Sequence, residues 1–530
     1  MLGTAHPPIS CTVSEIVRHR HTRHASLCRR TRAAHSEATM IRSLPRRVLA
    51  LAACLALAPS AAFGQAEPVA LPTTPAGHLA DGWMQQCRSH DVGAMTQWES
   101  ANLSDDAAKR FPAELRARTD AEACTANSGF RVASITKSEP NAITLVMLGL
   151  TSGTWFEMSL VTTTAGKLDR LGTRPTLPPE AALPKDLSDA ALGSDVKQQV
   201  ATLAQRGLFS GIVTVARGTQ IIATASANYA DRAKHTPITD STRFTLGSMG
   251  KMFTAASIGQ LVDQGKVSFA DTVGKFFPDY PNETIRRKAT VGMLLSHTAG
   301  LGDFLSKRTP EMMKNGVKRA AEFMPLYDAD APLFPPGSGW SYSNAGLALA
   351  GAIVEQVSGE DYPDYIRRHI FAVAGMHASD PNNVPYAGPL LVTPYTKFTP
   401  QGPATDWQEA EHDIGSPAGG AISTAGDLVR FAVALRDGKL VSQGTFAEMV
   451  KPHGTVPTGD KYGYAMEISD TYGRTIVGHG GGFPGVSTHL YLVLGSPYTV
   501  VILANQDPPA DAYAGSMVVA IVAEKAKLGK

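Results

Sequence analysis

Apolar and polar positions alternate with period two at Phe130–Lys137, Ile143–Leu150 and Trp155–Thr162, and a fourth run ends near Arg174 and Pro175. Such alternation predicts half-buried strands joined as an antiparallel sheet. A helical pattern around Ala80–Gln97 precedes them, so residues 80–178 are expected to form a small α+β unit of one or two helices against a sheet. A Pro-, Ala- and Thr-rich linker over 65–79 leads into it, and four prolines between Pro175 and Pro184 mark the boundary after it. From 186 to 530 the pattern changes. A polar helix over Asp189–Gln205 is followed by strands at Ser210–Ala216 and Gln220–Ser226, which Arg217-Gly218-Thr219 joins as a hairpin. Phe253–Leu261 reads as a helix with Ser248 in its first turn, and a helix before Gly300 ends in a glycine turn. Alternation returns at Ile476–His479, Val486–Leu494 and Tyr498–Ala504, before a closing helix over Pro509–Lys527. Strands at both ends and helices between predict an α+β domain with one antiparallel sheet whose edges come from the two ends of the segment.

The chain has 530 residues, of which 43% are hydrophobic and 18% charged, the composition of a globular protein of more than one domain. Its formal charge of +2 is set by the first 64 residues, which hold nine arginines and two acids. Beyond them 40 basic groups face 45 acidic ones, a balance that gives no support to a nucleic-acid partner. From Met40, which we take as the start, Arg42, Arg46 and Arg47, the apolar run Val48–Ala58 and Ala62-Phe63-Gly64 read as an export signal cleaved before Gln65. The run is too short to span a bilayer. Leu51-Ala52-Ala53-Cys54 also fits a lipid-attachment box, but the apolar run continues past Cys54, so soluble export to the periplasm or medium is preferred over a lipid anchor. Cleavage there leaves two cysteines, Cys87 and Cys124, which an oxidising compartment would allow to pair.

Candidate chemistry begins at Ser248-Met249-Gly250-Lys251. A serine and a lysine three positions apart share a helical face, which sets a nucleophile beside a base or a fixed cation. The pattern alone is weak, since Ser134 with Lys137 and Ser194 with Lys197 repeat it on a strand and on a surface helix. Two segments further along the chain distinguish Ser248 from these. Tyr342-Ser343-Asn344 lies 94 residues after Ser248, and His479-Gly480-Gly481 lies 137 residues after Tyr342. In order and spacing these resemble the three motifs of the serine β-lactamase and penicillin-binding superfamily, in its class C branch with related esterases and D-amino-acid peptidases. The stretches Ser296–Leu301 and Gly419–Ala425 are similar to that branch as well, and the resemblance covers about residues 195 to 525.

The resemblance implies a β-lactamase/transpeptidase-like fold: an antiparallel sheet flanked by helices, with a helical subdomain. It implies that Ser248 attacks a carbonyl, that Lys251 assists as base or charge, that Tyr342 relays the proton and that Asn344 orients the substrate and Lys251. The backbone N–H groups of Ser248 and Gly482 would hold the oxyanion, and Gly480 and Gly481 would let the substrate approach the strand edge. His479 stands where β-lactamases and transpeptidases usually carry lysine. A histidine is mostly neutral at pH 7, so the resemblance shifts from an efficient β-lactamase towards an esterase or D-amino-acid peptidase. A sensor or wall-binding protein that acylates without turnover is the alternative. His297 is expected to brace a turn and Thr424 with Asp427 to cap a helix, while Trp340, Trp407 and Phe483 fit either a cleft wall or the core. No metal-binding spacing or phosphate loop stands out, so no cofactor is expected; the expected partner is a small ester, amide or peptide substrate, and the expected state is a monomer.

Overall fold

The computed structural model of the protein describes residues 69–381, 390–399, 402–412, 414–456 and 459–529. The proposed start, signal segment and Cys54 lie outside the described residues. The N-terminal unit contains the four expected strands, Phe130–Glu139, Ala142–Gly149, Trp155–Thr162 and Leu168–Pro175, each antiparallel to the next. Four helices accompany them rather than one or two: Pro75–Ser89, Val92–Asn102, Asp105–Arg110 and Ala113–Asn127. The first begins inside the stretch expected to be linker. The stretch read as one helix breaks because His90 takes a left-handed φ of 55° and the Asp91 carboxylate caps the next helix by accepting from the N–H groups of Gly93 and Ala94. A Cys87–Cys124 disulfide, with Cα atoms 5.2 Å apart, ties the first helix to the fourth.

The second unit is built on an eight-stranded antiparallel sheet. Its order runs Gly454–Thr455, Lys461–Tyr462, Glu467–Thr471, Arg474–Phe483, Val486–Val493, Tyr498–Ala504, Gly211–Arg217, Gln220–Ala227. The two ends of the segment meet where Tyr498–Ala504 pairs with Gly211–Arg217, from Tyr498 opposite Arg217 to Ala504 opposite Gly211. The three short strands between 454 and 471 were not legible as strands. Both faces of the sheet are covered. Ile212, Val477, Leu490, Leu492, Val501 and Leu503 face the helical middle, whereas the alternate residues Val213, Val215, Ile476, Val500 and Ile502 face the helices Asp189–Gln205 and Ala510–Lys527. Tyr498–Ala504, expected to alternate, is instead buried at every position because helices cover both faces.

At the centre of the helical middle lie Lys251–Asp263 and Asn344–Ser358. The latter is buried from Asn344 through Glu355, as a helix apolar on all sides must be. The N-terminal unit shares a core with the outer sheet face, where the Phe156 and Tyr513 rings meet edge to face at 5.6 Å. Among the described residues no helix is long and apolar enough to cross a membrane.

That shared core encloses two acids. Glu99 is wholly buried, with Arg116 at 3.7 Å, and Asp120 accepts a 2.7 Å hydrogen bond from the Trp83 indole. Burial first, then the neighbouring Asp120, pushes Glu99 up to about 9 from an ordinary value of 4.5. Between those values the folded protein binds the extra proton, so stability is greatest on the acid side and falls as pH rises through the window. Glu99→Gln is expected to raise the melting temperature at about pH 8.5 and to shrink the difference between about pH 5.5 and 8.5, read by calorimetry. An unchanged pH slope would contradict the assignment.

Candidate active site

Ser248 lies not in the first turn of an α-helix but in a 3-10 turn, Gly247–Gly250, that runs into the helix Lys251–Asp263. The turn is entered from the short strand Phe244–Thr245, paired with Ile422–Ser423, and Gly247 makes the corner with a φ of 55°. A 3-10 turn has three residues per turn, so side chains three apart eclipse. This puts the Lys251 ammonium nitrogen 2.9 Å from the Ser248 hydroxyl oxygen.

Lys251 is fully buried and gathers the second motif to the first. Its Nζ donates to the Asn344 side-chain carbonyl at 2.8 Å and to the backbone carbonyl of Ala418, and it lies 4.8 Å from the centre of the half-buried Tyr342 ring. The Ser248 hydroxyl, the Asn344 amide oxygen and the Ala418 carbonyl are among the groups that surround this nitrogen. The Asn344 amide is fixed from its other side, where its nitrogen donates to the Asp303 carboxylate at 2.8 Å. Ser343 caps the helix that Asn344 opens by accepting from the Gly346 N–H at 2.9 Å.

The third motif borders the same turn along the strand Arg474–Phe483. A Cβ on Gly247 would stand 3.1 Å from the Gly482 nitrogen, and one on Gly481 would strike the carbonyl oxygen of Leu246. That carbonyl accepts instead from the Thr488 hydroxyl at 2.8 Å. On its other side the turn is held by Gly420, whose N–H donates to the Gly247 carbonyl at 3.1 Å. Glycine is needed at 247 and 481 because backbone meets backbone there. Gly482 is exposed and Gly480 half-buried at this edge.

His479 is buried, only 2% exposed. Burial pushes its pKa down to about 4; Glu467 opposes this and Lys251 adds to it. Its Nε2 lies 2.8 Å from the Tyr462 hydroxyl, which lies 3.0 Å from Nε2 of His297. The third-motif position is therefore neutral.

The Beta-lactamase family profile matches residues 194–524, well over half of the chain. The chain belongs to the beta-lactamase family. It is 29% identical over 324 residues to penicillin-binding protein 4* of Bacillus subtilis, a match covering 58% of this chain and 70% of that protein. It is 24% identical over 335 residues to a D-aminopeptidase of Cereibacter sphaeroides, covering 60% and 61% of the two chains. Among solved structures, a penicillin binding protein from Bacillus halodurans has a TM-score of 0.53 at 29% identity, over 61% of this chain and 99% of its own. The protein is a serine hydrolase of the beta-lactamase family.

The first two of the three segments meet at Lys251 and the third borders the Ser248 turn, while the other candidates fall into supporting places. His297 braces its turn with a φ of 62°, and its Nδ1 accepts from the Ser343 N–H at 3.1 Å. The Thr424 hydroxyl accepts from the Asp427 N–H and caps the helix Ala425–Arg436. Trp340 packs edge-on against His297 and Tyr462, and Trp407 lies 5.3 Å from the Arg232 guanidinium and 5.4 Å from the Lys397 ammonium. Ser134 and Lys137 lie on the strand Phe130–Glu139, remote in sequence and sheet from Ser248. Sequence reasoning missed Asp303, the Ala418 carbonyl and Tyr462, none of which belongs to a motif it used. Among the described residues no group of three or more His, Cys, Asp or Glu side chains could hold a metal.

Replacing Gly481 by alanine is expected to push the strand off the Ser248 turn and to lower ester hydrolysis by about a hundredfold. The control Gly172→Ala, whose Cβ meets nothing within 4 Å, is expected to change nothing. Equal activity in the two variants would refute the need for this close approach.

Proposed function

We propose that this protein is an exported hydrolase that cleaves an ester or amide bond through an acyl-enzyme on Ser248. The observation that carries the reading is the buried Lys251 ammonium in contact with both the Ser248 hydroxyl and Asn344. With its Nζ against the Ser248 hydroxyl and the Asn344 amide oxygen, Lys251 acts as a fixed charge that favours the developing serine oxyanion, and Tyr342, as its phenolate, takes the serine proton. As the Ser248 Oγ–carbon bond forms, the carbonyl electron pair moves onto oxygen, where the N–H groups of Ser248 and Gly482 receive it. Collapse breaks the bond to the alcohol or amine, which leaves with the proton returned from Tyr342. A water that loses its proton to Tyr342 then bonds to the acyl carbon, the Ser248 Oγ–carbon bond breaks as the acid leaves, and Tyr342 returns the proton to Oγ. Asn344, held by Asp303, keeps Lys251 in place and offers its amide to the substrate.

The neutral, buried His479 supports an ester or D-amino-acid peptide as substrate rather than efficient β-lactam turnover, because it brings no charge to a substrate carboxylate. The likeness to a D-aminopeptidase supports the same choice. The Cys87–Cys124 disulfide supports export, since such bonds persist in oxidising compartments.

Intact-mass analysis of the protein mixed in parallel with a nitrophenyl ester, a D-alanyl peptide and a penicillin tests the proposal. A transient adduct on Ser248 with product release is expected for the ester or the peptide, and Ser248→Ala should lower turnover by about a thousandfold or more. Full activity of Ser248→Ala on every substrate would refute the reading. An adduct that never leaves would favour a sensor.

A further inference from the structure

The buried file His297–Tyr462–His479 runs behind the site, and its proton positions are set by the two backbone groups at its ends. The Ser343 N–H can only donate, and it donates to Nδ1 of His297. The His297 proton is then on Nε2, which donates to the Tyr462 oxygen at 3.0 Å. Tyr462 has one proton, and the remaining partner of its hydroxyl is Nε2 of His479 at 2.8 Å. That leaves Nδ1 of His479 to carry the ring proton, and it faces the carbonyl oxygen of Gly480, which can only accept. Every donor meets an acceptor in one direction only.

We infer that Tyr462 is a positioning residue whose hydroxyl completes a neutral, one-way strut between the second and third motifs. This rests on the function proposed above. At one end the strut holds the Ser343 backbone, flanked by Tyr342 and Asn344. At the other it holds Gly480, two residues before Gly482. Tyr342 also lies against it, with its ring 4.4 Å from that of His297 and 6.4 Å from that of His479. The strut therefore sets the distance between the proposed proton acceptor and the proposed oxyanion edge, a distance on which the rate depends steeply.

An added proton has no place in this arrangement. On Nδ1 of His297 it would face the Ser343 N–H; on Nε2 of His479 it would leave the Tyr462 hydroxyl proton without an acceptor. The charged and titratable groups facing the file are Lys251 from the nucleophile helix, Glu467 at 3.8 Å from His479 on the neighbouring strand, His489 from the strand beyond, and Tyr342. Burial outweighs Glu467 and holds both histidines neutral, and it holds the Tyr462 phenol protonated.

The test uses the full chain labelled with nitrogen-15 histidine, its two resonances assigned by single substitutions. His297 is expected in the Nε2–H tautomer and His479 in the Nδ1–H tautomer, both unchanged from about pH 5.5 to 8.5. The same tautomer in both rings, or titration of either within that range, overturns the strut and needs no substrate to do so. In kinetics, Tyr462→Phe is expected to lower kcat for a nitrophenyl ester about tenfold with KM within about twofold, and the loss should deepen as pH falls because His479 has lost its donor. An unchanged kcat and pH profile would equally overturn it. Adduct formation on Ser248 by the unaltered protein judges the acyl-enzyme reading separately.

Discussion

The amine of Lys251 is the point at which three distant stretches of chain are tied together. Burying a charge is costly unless its donors are met, and here a hydroxyl from the same turn, an amide from the helix Asn344–Ser358 and a carbonyl from the loop at Ala418 surround it. Each partner is in turn fixed by something rigid. Asn344 is held by Asp303 and by the cap at Ser343; the serine turn is gripped by Gly420 on one side and by Thr488 and Gly481 on the other. The two largely buried helices beneath, Lys251–Asp263 and Asn344–Ser358, keep these backbones from moving, which is the condition for preorganised catalysis.

The neutral third motif is the feature that departs most from a lysine-bearing site. A lysine at 479 would bring a permanent charge to the substrate edge, whereas the histidine lies buried within a file of rings and acts through the backbone it braces. The strand edge from Gly480 to Gly482 thereby contributes backbone groups, with no cation from the third motif to join Lys251. The N-terminal unit packs through Phe156 against Tyr513 of the helix Ala510–Lys527, which covers the opposite face of the sheet, and shares a core there without a residue in this constellation.

Much of this architecture is legible in the amino-acid sequence. Strands with one wet face, such as Trp155–Thr162, announce themselves by alternation, whereas Tyr498–Ala504, read as an alternating and so half-buried strand, is covered on both faces. Ser248, Lys251, Tyr342 and Asn344 could be named because their spacing repeats a known pattern. What escaped were features that leave no periodic trace. The helix break at His90 and Asp91 depends on a cap hidden in a polar stretch, and the strands between Gly454 and Tyr462 are two residues long. Ala418 acts through its carbonyl, so its side chain gives no signal. Tyr462 matters by contacts across 165 and 17 residues of sequence and Asp303 by one across 41, which no local pattern encodes.

The measurement that bears most directly on the central claim is a crystal structure of the protein with a small boronic acid, whose tetrahedral adduct imitates the charge that develops on the substrate carbonyl. Boron bonded to Ser248 Oγ, with one boronate oxygen about 3 Å from the backbone nitrogens of both Ser248 and Gly482, and Lys251 still joined to Asn344, is the predicted result. Boron on any other residue, or an adduct oxygen turned away from Gly482, would contradict the account.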